Sequence, residues 1–289
     1  MTVIDTLLAP SVRDLGGFAV RRLLPSSHRR TVGPFIFFDH MGPVALPVGE
    51  GFDVRPHPHI GLATITWLFE GEIVHRDNLG FVQPIVPGDV NWMTAGRGIA
   101  HSERSAPEAR SRGVRLHGLQ TWVALPREHE QAAPAFFHLP RASLPMLAPE
   151  GARIVVVAGD FLGVASPTPT FSRTLYASIE LDAGAKLAIP AEHDERAIYV
   201  VDGAVEVDGE AVAAGHMAVL LRGTTPLMCA SGAARVMLVG GDALDGERFI
   251  WWNFVSSSRE RIEQAKDDWR AQRFAPIPGE TGFIPLPER

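Results

Sequence analysis

Short apolar runs alternate with turn residues along nearly the whole chain. That rhythm predicts an all-β sandwich or barrel. Strands are predicted over residues 33–38, 64–68, 113–123, 153–157, 174–180, 197–201 and 235–240. Residues 132–151 turn Pro- and Ala-rich, which predicts a linker at 136–150 between a first unit, 1–135, and a second, 151–289. The C-terminal region changes period. Ser257-Ser-Arg-Glu260 has capping-box spacing, and Ile262, Ala265 and Trp269 follow at helical intervals. This predicts a helix near 258–273, packed on the second unit and followed by an extended, proline-held tail.

The two units read as copies of one plan. Leu68-Phe-Glu-Gly-Glu-Ile-Val74 resembles Val200-Val-Asp-Gly-Ala-Val-Glu206: strand, acidic-Gly turn, strand. A second Gly turn follows in each, at Gly88 and at Gly215. Val207-Asp-Gly-Glu210 adds a hairpin signal to the later copy.

Polar residues interrupt the pattern in a paired way. His57-x-His59 is followed by His101-x-Glu103. Residues i and i+2 of a strand point to one face, roughly 7 Å apart. If the two strands face each other inside a barrel, three imidazoles and one carboxylate can close on a single borderline transition metal. For a six-coordinate ion two positions stay open, unlike a closed structural zinc site. Counting from Gly203 and Gly215, the second copy puts Ile189, Ala191, Met228 and Ala230 at these four places. The barrel therefore does not need the polar quartet in order to fold.

Composition narrows the picture. The 289 residues are 46% hydrophobic and 21% charged with a formal net charge of −6, which suits a soluble globular protein and not a general nucleic-acid binder. Arg21-Arg22 and Arg29-Arg30 read as a solvated loop. The single cysteine, Cys229, reads as a buried small hydrophobe, and a reducing compartment, the cytoplasm, is expected. No run is long enough to span a membrane, and the N-terminus lacks the basic start of a signal peptide.

The stretch Pro56-His-Pro-His59 through Asp77 resembles the first cupin motif in its pirin form. Pro87-Gly-Asp-Val90 through Glu103 is similar to the pirin form of the second. The resemblance implies an all-β fold of tandem double-stranded β-helix (bicupin) barrels with a short C-terminal helix. It implies metal ligation by His57, His59, His101 and Glu103, usually of iron; Fe(II) is expected, with Zn, Cu, Mn, Co or Ni as alternatives. The usual cupin glutamate soon after the two histidines is missing from Ile60-Gly-Leu-Ala-Thr64, and Glu103 carries the carboxylate instead, as in pirins. Bacterial members resemble quercetin 2,3-dioxygenases, which open the central ring of a flavonol with O2 and release carbon monoxide; Trp251-Trp-Asn-Phe-Val-Ser-Ser-Ser258 resembles those members. The expected partners are a small aromatic substrate and O2, with no direct nucleic-acid contact, and the resemblance assigns Glu103 a catalytic base role. The alternative is a metal- and redox-responsive regulator that binds a protein partner without turnover. A third reading, a metal reaction on a small polar ligand, requires polar cavity residues.

Aromatic lining is expected from Phe35, Phe37, Trp67, Phe69 and Trp92. His40, His75 and His117 are candidates to orient the ligands. Arg55 and Arg97 flank the motifs as candidate gates. His129, His138 and His216 read as surface or turn residues.

Overall fold

The computed structural model describes residues 2–14 and 18–288. Every predicted strand is present, most of them longer than the apolar run: Phe35–Leu46, Leu62–Glu70, Val114–Ala124, Ala152–Phe161, Thr174–Leu181, Glu195–Asp202 and Ala234–Gly241. The chain forms two compact units, each drawn from three separate stretches of the sequence. One contains Asp14–Val20, His40–Pro140 and Asp245–Arg289; the other contains Met1–Arg13, Arg21–Asp39 and Arg141–Leu244.

A linear division at 136–150 does not describe this arrangement. The N-terminal strand Ile4–Leu8 pairs with Met217–Leu220 at the edge of the later unit's large sheet. The C-terminal helix, Arg259–Arg270, is in the earlier unit and not on the second barrel as expected. Its apolar residues Ile262, Ala265 and Trp269 pack with Ile60, Ala100 and Phe254. Burial of that stripe fixes where the helix sits. Glu130 secures the approach to it. Its buried carboxylate accepts the Ser256 and Ser257 hydroxyls at 3.0 Å and pairs with Arg248 at 2.7 Å. The helix cap lies one residue later than the capping-box reading: Ser258 accepts from the Arg261 N–H at 3.2 Å. The predicted linker is partly sheet, because Ala135–Leu139 pairs with Val90–Thr94 and Met146–Leu147 pairs with Ala152–Phe161.

In the earlier unit a four-stranded antiparallel sheet runs in the order Asp53–His59, Ile99–Arg104, Ile73–Asp77, Val82–Ile85. A larger sheet runs Ala135–Leu139, Val90–Thr94, Leu62–Glu70, Val114–Ala124 and on to Phe35–Leu46. The later unit repeats the small sheet as Lys186–Ala188, Leu227–Ala230, Ala204–Val207, Glu210–Ala213. Its hairpin turns through Asp208 and Gly209, both at positive φ, as the Asp-Gly pair predicts.

The small sheet of the later unit corrects one of the counted positions. His57 stands opposite His101, and Leu187 stands opposite Met228. Leu187 and Ile189 are buried, whereas Ala191, one of the counted positions, is exposed beyond the strand. The connection that follows is longer in the later unit, from Ala188 to Glu195, than in the earlier one, where a turn at Gly61 joins His59 to Leu62. Leu187, Ile189, Met228 and Ala230 are all buried in one apolar core. The same β-plan thus holds a hydrophobic quartet in one unit and a polar quartet in the other.

Two smaller readings change. Arg22 lies on strand Ala19–Leu24 and forms a two-pronged ion pair with Asp39 at 2.8 Å, so it is not a solvated loop residue. Cys229 is only half-buried. No helix of the described residues is long and apolar enough to cross a membrane.

Candidate metal centre

Three strands of the small sheet bring their polar pairs to one face. Asp53–His59 carries His57 and His59, Ile99–Arg104 carries His101 and Glu103, and Ile73–Asp77 carries His75 and Asp77. Cross-strand partners share a face, and the register pairs His101 with both His57 and Asp77, and Glu103 with His75.

His57, His59 and His101 are buried, and each offers a ring nitrogen within 4.8 Å of the others'. The Nε2 atoms of His59 and His101 are 3.1 Å apart. Two bonds of about 2.1 Å to one ion, at roughly a right angle, place ligand nitrogens about that far apart. The opposite ring atoms are already engaged. His57 Nδ1–H donates to the Arg55 carbonyl at 2.9 Å, and His59 Nδ1–H donates to the Asn253 carbonyl at 3.3 Å. Each of these bonds leaves Nε2 as a lone pair turned toward the cluster. Burial lowers the His57 pKa to about 4, against the raising effect of the Arg55 carbonyl. Burial and the neighbouring histidines hold His59 and His101 well below the ordinary value. The rings are therefore neutral near pH 7 and present lone pairs instead of protons, as a divalent cation requires. The donor set fits a transition metal.

Glu103 is buried on the same face but is not within the 4.8 Å group. Burial raises its pKa to about 7, opposed by a hydrogen bond with Thr66. The Thr66 hydroxyl also lies 2.8 Å from the Gln120 side-chain amide.

The lining differs from expectation, and strand parity explains why. Thr66 faces the carboxyl of Glu103, so its neighbours Trp67 and Phe69 point to the other side of the sheet. Trp92 pairs with Ile65 and turns away in the same manner. Phe35 packs on Tyr176, and Phe37 lies under the Arg22 guanidinium. The aromatic rings at the cluster are instead Trp122, 5.1 Å from His59, and Phe136, stacked on His75 at 4.3 Å. Between them the sheet presents Thr64, Thr66, Asn91 and Gln120 by register. These residues lie on a uniformly apolar-looking stretch, and only their parity would have marked them.

Of the candidate orienting histidines, His75 reaches the cluster and bonds His101. His40 and His117 bond each other at 2.7 Å instead. Arg55 contributes its carbonyl, and the Arg97 carbonyl accepts from Arg261 at 2.6 Å. His138 is not a plain surface residue: its Nδ1 lies 2.7 Å from Asn91 Oδ1.

Sequence comparison supports the same family as the motifs. The pirin family model matches residues 17–123, and the pirin C-terminal cupin domain matches 176–275. A pirin-like protein of Caulobacter vibrioides is 49% identical over 99% of this chain and 100% of its own length. A Pseudomonas aeruginosa protein provisionally named quercetin 2,3-dioxygenase is 42% identical over 88% of this chain and 79% of its own. The crystal structure of quercetin 2,3-dioxygenase from Acinetobacter baumannii superposes with a TM-score of 0.92 at 33% identity, covering 98% of this chain and 95% of that one. Two cupin-type units, a buried histidine triad and full-length relatives agree: the chain belongs to the pirin family.

Proposed function

We propose that this protein is a cytoplasmic, metal-dependent dioxygenase that opens a flavonol ring with O2. The observation that carries the reading is the convergence of three buried imidazoles, with Glu103 two residues beyond His101 on the same strand face. The similarity to proteins named quercetin 2,3-dioxygenase points to the substrate class. His57, His59, His101 and Glu103 would hold the ion, with Fe(II) the first choice and Mn, Co, Ni, Cu or Zn as substitutes. When bound, the metal would supply Lewis acidity toward a substrate oxygen and, in the case of a redox-active ion such as Fe(II), one-electron chemistry that Zn(II) lacks.

The chain's own residues then divide the work. Glu103 takes the proton of an acidic hydroxyl, a base role that its burial among Thr66 and Gln120 supports. Thr66 and Gln120 hold that carboxyl in place. Trp122 and Phe136 flank a flat aromatic substrate. The strands around them exclude water.

A second reading has a specific observation behind it. Thr64, Thr66, Asn91 and Gln120 offer polar contacts suited to a small oxygenated substrate. The two are separated by one experiment. Protein loaded with Fe, Mn, Co, Ni or Cu is mixed with quercetin in air, and flavonol bleaching and carbon monoxide are followed. Turnover with at least one metal is expected. No turnover with any of them overturns the flavonol reading, and metal binding without turnover of any substrate would favour a regulatory protein that binds a partner.

A further inference from the structure

Of the three histidines in the cluster, His101 has an unusual neighbour. His57 and His59 each donate Nδ1–H to a backbone carbonyl, which can only accept. His101 Nδ1 instead lies 3.3 Å from His75 Nδ1. An imidazole nitrogen can donate or accept, so this contact does not by itself decide which nitrogen of His101 carries the proton.

The next residue along decides it. His75 Nε2 lies 2.9 Å from Asp77 Oδ2. Asp77 is fully buried, and its other oxygen accepts the backbone N–H groups of Leu79 at 2.9 Å and Phe81 at 3.1 Å. A carboxylate held this way can only accept. His75 therefore carries its proton on Nε2 and presents Nδ1 as a lone pair. His101 must then donate Nδ1–H to it, which leaves its Nε2 as a lone pair beside His59 Nε2. The His75 ring is fixed by stacking on Phe136, with the planes 14° apart. The pair His75-x-Asp77 has the same i, i+2 spacing as His57-x-His59 and His101-x-Glu103.

We propose that His75 and Asp77 form a hydrogen-bond relay that fixes the tautomer of His101 and aims its Nε2 lone pair at the metal position. This rests on the reading of His101 as a ligand. His75 and Asp77 are positioning residues: they touch neither ion nor substrate, and no proton moves along the relay. Its effect is to prepay the orientation of the ligand and to make the imidazole a stronger donor, the role that outer partners of metal-bound histidines play in general.

The test uses Zn(II) and the full chain. In the Zn-loaded protein, long-range 1H–15N spectra report which ring nitrogen is protonated. His75 is expected as the Nε2–H form and His101 as the Nδ1–H form; a His75 protonated on Nδ1 overturns the proposal without any variant. Zn(II) affinity is then measured by competition with a chromophoric chelator. Asp77→Asn keeps an acceptor for the turn N–H groups but offers a donor to His75, which reverses the relay and sets two N–H groups against each other. A loss of about 10- to 100-fold is expected. His75→Phe should lose a similar amount, and the double variant no more than His75→Phe alone, because Asp77 acts only through His75. Additive losses would make Asp77 a turn residue and sink the relay. Wild-type protein that fails to bind Zn(II) would instead refute the metal reading itself, a separable outcome.

Discussion

A methyl group placed on Gly61 would sit 1.9 Å from the carbonyl oxygen of Val255. Gly61 closes the turn directly after His59 at a φ of +70°. The segment it touches, Phe254–Ser256, follows Asn253, whose carbonyl orients His59. Val255 also donates its N–H to the Ile60 carbonyl at 3.2 Å. The close approach thus couples the C-terminal segment to a candidate ligand.

Gly61→Ala should therefore damage two things together. The left-handed backbone costs about 1–2 kcal/mol for a residue with a Cβ, before the clash with backbone is counted. Displacing Asn253 frees the His59 ring. The expected outcome is a melting temperature several degrees lower and weaker Zn(II) binding. A variant that melts earlier but binds Zn(II) with unchanged affinity would show that the Asn253 carbonyl does not matter to the centre.

The later unit supplies a template for erasing the centre. Its matching small sheet carries an apolar, buried quartet: Leu187, Ile189, Met228 and Ala230. The variant His57→Leu, His59→Ile, His101→Met should fold, bind no Zn(II), and melt no lower than the metal-free parent, because three desolvated imidazoles are replaced by hydrocarbon. His59→Ala alone should lose most of the bound metal with the fold intact. Circular dichroism and metal analysis check both. Full metal occupancy in either variant contradicts the assignment.

Some of this architecture could be read in the sequence, and the reasons are physical. The i, i+2 histidine pairs depend only on strand geometry, which is the same wherever a strand lies. The all-β rhythm and the Asp208-Gly209 turn are equally local. The rest depended on partners that sequence does not name. An apolar edge strand such as Ile4–Leu8 can complete any sheet with a free edge, and the stripe of Ile262, Ala265 and Trp269 can cover any apolar surface. Which faces Trp67 and Trp92 take depends on a parity that a one-residue shift inverts. Counting alone places Ala191 in the second cavity when it is exposed, because loop length, unlike pairing, carries no register.

Acid should destabilise the metal-free protein over a defined range. His57, His59 and His101 have folded pKa values below the ordinary 6.5, so the unfolded chain binds more protons than the folded one below that value. Stability from these three is fully present above about pH 6.5 and is lost as pH falls toward 4. Glu103 acts in the opposite direction. Its folded pKa is raised to about 7 from 4.5, so its contribution is present below 4.5 and lost as pH rises through 7. Three groups outweigh one, and the melting temperature should rise between pH 5 and 6.5. Glu103→Gln should make that rise steeper. A flat profile over this range would mean that the imidazoles are not desolvated in the folded protein.

Glu103 itself can be examined by separating binding from turnover. If it serves as a base, Glu103→Gln removes the proton acceptor while keeping size and hydrogen-bonding capacity. Turnover of quercetin should then fall by about 100- to 10,000-fold, with a much smaller change in Zn(II) affinity. Equal losses of both would leave Glu103 as a ligand only. Thr66→Val adds a graded case. The Thr66 hydrogen bond holds the Glu103 pKa down against burial, so its removal should move the pKa further up. The acidic limb of the turnover profile, where the base becomes protonated, should shift to higher pH in Thr66→Val. A limb that stays in place would show that the group titrating in the profile is not Glu103.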